Sequence, residues 1–338
     1  MQNKMQDGVL SGYKIKPGIA MGETKSCLIV GAGIAGLTAA DVLRQSGWEV
    51  MLLDKGRSAG GRMATRRLGK SRFDHGAQFF TVRDSRFQAA VERWEARGWA
   101  KPWFTEGGHV RYRGVEGMNG IVKELAKPFD LTTQTTVERV EPAEKGWRIL
   151  TDTGQEFSAG TLLLTPPAPQ SMALLARCVD CLPADIVSSM NSIAYNPCFA
   201  LLATLGGPSQ VPSPGCVKLD SRPIAFVADN TQKGISFGSA ALTIHAQADF
   251  TRSHLEAPQD EVAQLLLDAA KPWLGSQLLT WQLHRWRYSQ PVATTAEPYL
   301  FTLEPAPLAL AGDAFGGPRI EGAFLSGLAV AKRIIVGP

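Results

Sequence analysis

Cys27-Leu-Ile-Val-Gly-Ala-Gly-Ile-Ala-Gly36, followed about 18 residues later by Asp54, decides how this chain is to be read. A short apolar run enters a turn of three glycines and leaves as a helix with Ile34, Leu37, Ala40 and Leu43 on its apolar face. Such a turn cradles a dinucleotide pyrophosphate, and each glycine has its own task in it. Gly31 lets the chain leave the strand sharply, Gly33 lets the backbone touch the phosphates, and Gly36 lets helix and strand pack closely. The helix start at Ile34 and Ala35 aims free N–H groups and the positive dipole end at the anion. Val50-Met-Leu-Leu53 is a second strand, ending at Asp54 and Lys55, where the Asp54 carboxylate can accept both ribose hydroxyls. The glycines alone are a weak signal; the flanking strands and the terminal acid make it a strong one.

The rest of the chain narrows the class. With 338 residues, 44% hydrophobic and 20% charged, it can bury a large core, most naturally as two domains. A net charge of +4 is modest, and the basic run Arg62–Arg72 carries no interleaved aromatic platform, which argues against nucleic acid as a partner. The five cysteines are odd in number and scattered, as suits a reducing, cytoplasmic compartment. Cys178-Val-Asp-Cys181 has redox spacing without the preceding strand such a motif needs, and the dispersed histidines give no metal site. Residues 1–24 lack an apolar segment and read as a disordered extension, with Met21 as the original start. The apolar run Cys198–Leu205 is too short to span a bilayer, so no membrane is expected.

Along the chain, Ser85–Arg97 has helical spacing and Gly117–Ala126 reads as a turn and short helix. Thr136–Val140, Gly146–Thr151 and Glu156–Ala159 read as an antiparallel meander, and Thr161–Thr165 as a buried strand stopped by Pro166-Pro167. Strands are expected at Phe199–Leu205, Ile224–Ala228 and Ile235–Ser239, a helix at Asp260–Ala270, and a tryptophan-rich stretch at Trp281–Tyr288. Leu308-Ala-Leu-Ala-Gly-Asp313 then returns as a buried strand before the small-residue helix Gly322–Ile335. Because a strand–Gly-Asp–helix unit recurs at the end, the nucleotide domain is expected to be discontinuous: 25–84 plus 115–170 plus 298–338, with 85–114 plus 171–297 as the substrate domain.

From Lys25 to Lys332 the chain resembles the flavin-dependent amine oxidase superfamily and, within it, renalase-type flavoproteins. Four stations carry the resemblance: the glycine turn with Asp54, Arg57-Ser-Ala-Gly-Gly-Arg62-Met-Ala-Thr65, Leu162-Leu-Leu-Thr-Pro-Pro-Ala-Pro-Gln170, and Leu310-Ala-Gly-Asp313 with Ile320-Glu-Gly-Ala323 and Ser326-Gly327. The renalase likeness rests on Asp74-His-Gly-Ala-Gln-Phe-Phe80 and His284-Arg-Trp-Arg-Tyr-Ser289. The resemblance implies an α/β fold: a Rossmann-like FAD-binding domain, similar to p-hydroxybenzoate hydroxylase, with an inserted α+β substrate domain. It implies FAD contacts at Gly61, Arg62, Met63, Ala77, Gln78, Phe79, Val137, Gly312, Asp313, Ile320, Gly322 and Ala323, besides the residues of the first turn. Asp313 would hold the ribityl or pyrophosphate part, unless it is a plain helix cap. Arg62 would pair with a flavin phosphate, unless it is a surface arginine. With no cysteine after Cys216, the FAD is expected to be non-covalent.

Substrate-face candidates are Gln78, His75, Trp286 and Tyr288. In a strand, residues 284, 286 and 288 share one face and 285 and 287 the other; core packing is the plain alternative. His75 is a base or a structural histidine. The activity implied is oxidation of isomeric dihydronicotinamide dinucleotides, with hydride passing to flavin N5 and dioxygen becoming hydrogen peroxide. Amine oxidation, desaturation and a non-catalytic flavin sensor are the alternatives.

Overall fold

The computed structural model describes residues 19–20, 25–220 and 223–337. Most of the expected N-terminal extension, Met21 included, lies outside them; Ile19–Ala20, as strand β1, runs parallel to Phe157 and Ser158, so the disorder expected over 1–24 does not hold there. The chain continues through β2 (Ser26–Val30), α1 (Ile34–Gln45) and β3 (Glu49–Leu53). Next come the hairpin β4 (Thr65–Leu68) and β5 (Ser71–Asp74), helix α2 (Ser85–Ala96), the hairpin β6 (Ala100–Glu106) and β7 (His109–Gly114), and α3 (Met118–Ala126). β8 (Asp130–Thr132), β9 (Val137–Ala143), β10 (Gly146–Thr151), β11 (Glu156–Ala159) and β12 (Thr161–Leu164) precede α4 (Ala168–Leu175) and α5 (Ala184–Ser192). Then follow β13 (Tyr195–Leu205), β14 (Cys216–Lys218), β15 (Ile224–Asp229), β16 (Ala241–Ala246), α6 (Ala248–Ser253), α7 (Gln259–Leu274) and β17 (Leu278–Pro291). β18 (Leu300–Thr302), β19 (Leu308–Leu310) and α8 (Arg319–Val336) close the chain.

The first sheet has the order β18-β19-β12-β2-β3-β8 and is parallel except for β18. Its strands are apolar throughout because both faces are covered, and side chains alternate between two cores. Cys27, Ile29, Leu52, Leu163 and Ala309 enter the core built with α1, α2, α3 and α8. Leu28, Val30, Leu53, Leu162, Leu164 and Leu308 enter the core under the meander β9–β11 and helices α4 and α5. β19 returns beside β12, which itself pairs with β2, so a C-terminal strand lies in the same sheet as the N-terminal ones.

Two assignments to the substrate side are corrected by this packing. Helix α2 buries Phe87, Ala90, Val91 and Trp94 in the core of α1 and α8, and α4 and α5 bury Leu175, Ile186 and Met190 under the first sheet. The second sheet, β14-β15-β16-β13-β17, is antiparallel, with α7 on one face through Val262, Leu266 and Ala270. The strand expected at Ile235–Ser239 does not form. Gly234 (φ 79°) and Gly238 (φ 95°) turn the backbone there, and the N–H groups of Ile235 and Ser236 both donate to the Asn230 carbonyl.

Candidate functional site

The glycine turn has the geometry its residues demand. Gly31 has φ 105°, and a Cβ there would meet Thr165 Oγ1 at 2.4 Å; one on Gly36 would meet the Gly31 carbonyl oxygen at 2.2 Å. A Cβ on Gly33 would instead meet nothing within 4 Å. No side chain caps α1, so its first N–H groups face an open trough where an anion can sit. Asp54 closes one end. Its Oδ2 accepts from the Ala32 N–H (2.7 Å) and its Oδ1 from Gly56 N–H (2.6 Å), which leaves a lone pair on each oxygen for a ribose hydroxyl. The segment entering β9 lies alongside, Thr135 N–H donating to the Asp54 carbonyl at 3.0 Å.

The C-terminal limb meets the turn from the other side. Gly327 is packed against Ala35, where a Cβ would lie 2.2 Å from the Ala35 carbonyl oxygen, so α8 crosses α1 at its start. Asp313 is not a cap: α8 begins at Arg319, its N-cap is Pro318, and Gly322 sits inside the first turn. The Asp313 carboxylate is buried and is gripped by Arg62 through two bonds of 2.7 Å. Burial pushes the Asp313 carboxyl above its ordinary value and the Arg62 guanidinium opposes this. Arg62 is therefore not a plain surface arginine: a buried carboxylate needs a counter-charge, and Arg62 supplies it. Arg62 also donates to the Ser289 carbonyl (3.4 Å), tying the trough to β17.

Other expected contact residues divide by exposure. Gly61 and Lys55 are exposed, and Gly61 lies beside Gly33. The side chains of Ile34, Ala35, Met63, Ile320 and Ala323 face the first core and that of Val137 the second. Ala77 N–H donates to the Arg62 carbonyl at 2.9 Å, and a Cβ on Gly76 would lie 2.0 Å from that same oxygen. Glycine is thus required where the 74–79 loop lies on the Gly-Gly-Arg loop. Phe79 turns its ring toward Trp103, Phe104 and Phe226, with centroids 6.0–6.4 Å away. Gln78 is corrected as a substrate-face candidate. Its amide is buried, with Nε2 donating to the Asp74 and Gly76 carbonyls and Oε1 accepting from Lys233 Nζ at 3.4 Å.

Across the 74–79 loop stands the second sheet, and here the strand alternation holds. Leu283 faces α7, and Arg285 and Arg287 pair with Glu256. His284 and Trp286 face the loop: His75 lies 4.9 Å edge-on from His284 and 5.4 Å stacked on Trp286. Trp286 Nε1 donates to the His75 carbonyl oxygen at 2.8 Å, and His245 Nε2 lies 3.2 Å from it. Tyr288 packs edge-on against Tyr195, whose ring lies under Arg62.

The imidazoles of this wall are held neutral. Burial, helped by His284 and Arg66, pushes His75 down to about 3. Burial does the same to His284, with Arg66, and to His245, with Lys233; each falls to about 4. His75 Nδ1 is buried without a hydrogen-bond partner among the described residues. Sequence reasoning missed Arg66, His245 and Lys233: strand register places Arg66 and His245, the turn after β15 places Lys233, and nothing in their local sequence signals it. Two surface clefts of about 500 and 730 Å³ lie elsewhere, against α2 and α8 (Arg86, Tyr299, Lys332) and between α1 and α3 (Asp41, Glu124), away from the trough.

Comparison with known proteins agrees with this geometry. Residues 29–94 match the NAD(P)-binding Rossmann-like domain, and residues 95–335 match the flavin containing amine oxidoreductase family. The chain belongs to that family. It is a renalase-type member of the flavin amine oxidase superfamily and a flavin-dependent oxidoreductase. Renalase of Mus musculus is 28% identical over 334 residues, covering 90% of this chain and 97% of that protein. A 1-hydroxycarotenoid 3,4-desaturase of Flavobacterium sp. is 43% identical over 58 residues, 17% of this chain and 12% of that protein. Putrescine oxidase bound to putrescine shares the fold at 15% identity and a TM-score of 0.64, covering 95% of this chain and 100% of that one. The CLA-producing fatty acid isomerase from P. acnes does so at 11% identity and 0.67, covering 93% and 99%. A flavin dinucleotide fits the trough of this amine oxidoreductase: the open space over Gly33, the uncapped α1 and the half-occupied Asp54 oxygens suit pyrophosphate and ribose. No group of three metal-ligating side chains and no helix long and apolar enough to cross a membrane occurs among the described residues.

Proposed function

We propose that this protein is an FAD-dependent oxidase of isomeric dihydronicotinamide dinucleotides, returning NAD(P)+. When bound, the FAD would supply hydride acceptance from the donor and two-electron reduction of dioxygen, which with a solvent proton would give hydrogen peroxide. The FAD is held without a covalent bond, by the turn Gly31–Gly36, Asp54 and the Gly312–Gly322 limb. The second sheet presents the donor, with Trp286 and His284 as its wall.

The observation that supports this reading over amine oxidation is the weakness of the wall as a base. An amine arrives as an ammonium ion and must lose a proton before it can be oxidised. Imidazoles at about 3 and 4 are poor acceptors for it, and the Arg66 charge beside His75 and His284 repels a cation. Arg57 adds to that positive field at Arg66. A dihydronicotinamide needs no base, because aromatisation of its ring drives hydride loss, and its phosphates are drawn toward the arginines. The five free cysteines suit a reducing, cytoplasmic setting.

The test is anaerobic mixing of the oxidised protein with candidate donors. Rapid bleaching of the flavin by an isomeric dihydronicotinamide, and none by amines, is the expected result. Bleaching by amines alone would overturn it in favour of amine oxidation. Bleaching by no donor would leave the sensor.

A further inference from the structure

The larger of the two clefts away from the trough has a use that the reaction above does not supply. It holds about 730 Å³ and is walled by α1, α2, α3 and α8, with Trp99 and Pro128 from the loops between them. Pockets for small molecules run from about 300 to 1,000 Å³. Its floor is apolar and deep: Leu37, Ala90, Trp94 and Phe324 line it and are each buried in the first core.

The polar groups of the cleft say what kind of molecule suits it. Thr38 lines it from α1, is 8% exposed, and has a hydroxyl with no hydrogen-bond partner among the described residues. A buried hydroxyl left unpaired costs free energy that a polar group on a bound molecule recovers. The rim charges are unequal in their engagement. Asp41 is taken up by Gln45 Nε2 at 2.8 Å and Arg44 at 3.4 Å, and Glu124 by Lys127 Nζ at 2.6 Å. Arg93 and Arg97 are exposed and pair with no carboxylate among the described residues. Arg97 lies over the Trp99 ring, 4.9 Å from its centroid, a placement that leaves guanidinium N–H donors free. Ala90, Arg93 and Arg97, spaced three and four residues apart, share one stripe of α2, so two free guanidinium groups stand beside the apolar floor.

We propose that this cleft is a second ligand site, for a small organic acid with an apolar body. The body lies on the floor of Leu37, Trp94 and Phe324, the carboxylate is held by Arg93 and Arg97, and Thr38 gives a further polar contact. A cation is repelled by the same two arginines, and a wholly apolar molecule leaves them unused. The site goes beyond the redox reading, since it shares no residue with the glycine turn or the second sheet, and it is independent of which donor is oxidised. Because α1 and α8 both line it, an occupant braces the crossing of these helices and stabilises the fold by mass action.

The experiment titrates the protein as purified with octanoate, and with octanol as its uncharged counterpart, by isothermal calorimetry and by melting temperature. Octanoate is expected to bind saturably, about tenfold tighter than octanol, and to raise the melting temperature. Arg93→Gln/Arg97→Gln changes two exposed side chains and is expected to abolish the preference for octanoate over octanol. Thr38→Val keeps the side-chain shape and is expected to weaken octanoate by about threefold, the scale of one neutral hydrogen bond. Absence of saturable octanoate binding overturns the proposal. Octanol binding as tightly as octanoate overturns it too, by showing an apolar groove without an anion site. Octanoate affinity unchanged in Arg93→Gln/Arg97→Gln would also overturn it, by placing the carboxylate elsewhere on the molecule.

Discussion

In the proposed flavin site, Gly33 is the residue whose substitution tests the binding most directly. The space above it is empty of protein atoms, so the valine of Gly33→Val would occupy the pyrophosphate position itself. That variant is expected to purify colourless and in low yield, as read by visible absorbance per polypeptide. Stoichiometric flavin in it would show that the phosphates lie elsewhere. Asp54→Ala is milder. It removes an acceptor for the ribose and for the Ala32 and Gly56 N–H groups, a loss of about 1.5–3 kcal/mol, to be read as a weaker flavin dissociation constant. On the donor side Trp286 carries more than His75. Trp286→Ala removes both the ring stacked on His75 and the bond to its carbonyl. Flavin reduction by the dihydronicotinamide should slow by about a hundredfold with flavin still bound, the scale of a misplacement near 1 Å. His75→Asn should change that rate far less, because an imidazole at about 3 is not the proton acceptor. The opposite ranking in stopped-flow reduction would restore acid–base amine chemistry.

At the scale of elements, the crossing of α1 and α8 joins the two ends of the nucleotide motif. Gly327 permits it, since any Cβ there would press on the Ala35 backbone. Gly327→Val is therefore expected to cost about 1–3 kcal/mol from overpacking and to weaken flavin retention together with thermal stability, because it pushes α8 away from the phosphate turn. Unchanged melting and flavin content would mean the helices have room that the geometry denies. Period and punctuation made these elements readable in advance: apolar runs for the buried strands, the glycine turn for α1, alternating aromatics for β17. The strand expected at 235–239 was misread because its apolar residues conceal two positive-φ glycines. Helix α2 was given to the wrong side because an amphipathic pattern states that a face is buried but not against what.

Taken as a whole, the molecule depends on burying three neutral imidazoles. His75, His245 and His284 fall to about 3, 4 and 4, below the value near 6.5 of an unfolded chain. Between about pH 3 and 6.5 the unfolded state binds more of their protons, so stability is full above pH 6.5 and lost as the pH falls through that window. The melting temperature should drop more steeply from pH 7 to 5 in the parent than in His75→Asn, as measured by calorimetry with saturating FAD. Acid precipitation should also leave the flavin intact in the supernatant; flavin retained on the pellet would reveal a covalent link. The sequence by itself determined the nucleotide fold, the positions of its three glycines and terminal acid, and the return of the C-terminal unit, because these are local demands of backbone geometry and of apolar periodicity. Only the tertiary structure decided the partners: Arg62 with Asp313, Gln78 with Lys233, and His75 between His284 and Trp286. Partner choice among polar side chains follows from burial and strand register across distant parts of the chain, and no local pattern carries that information.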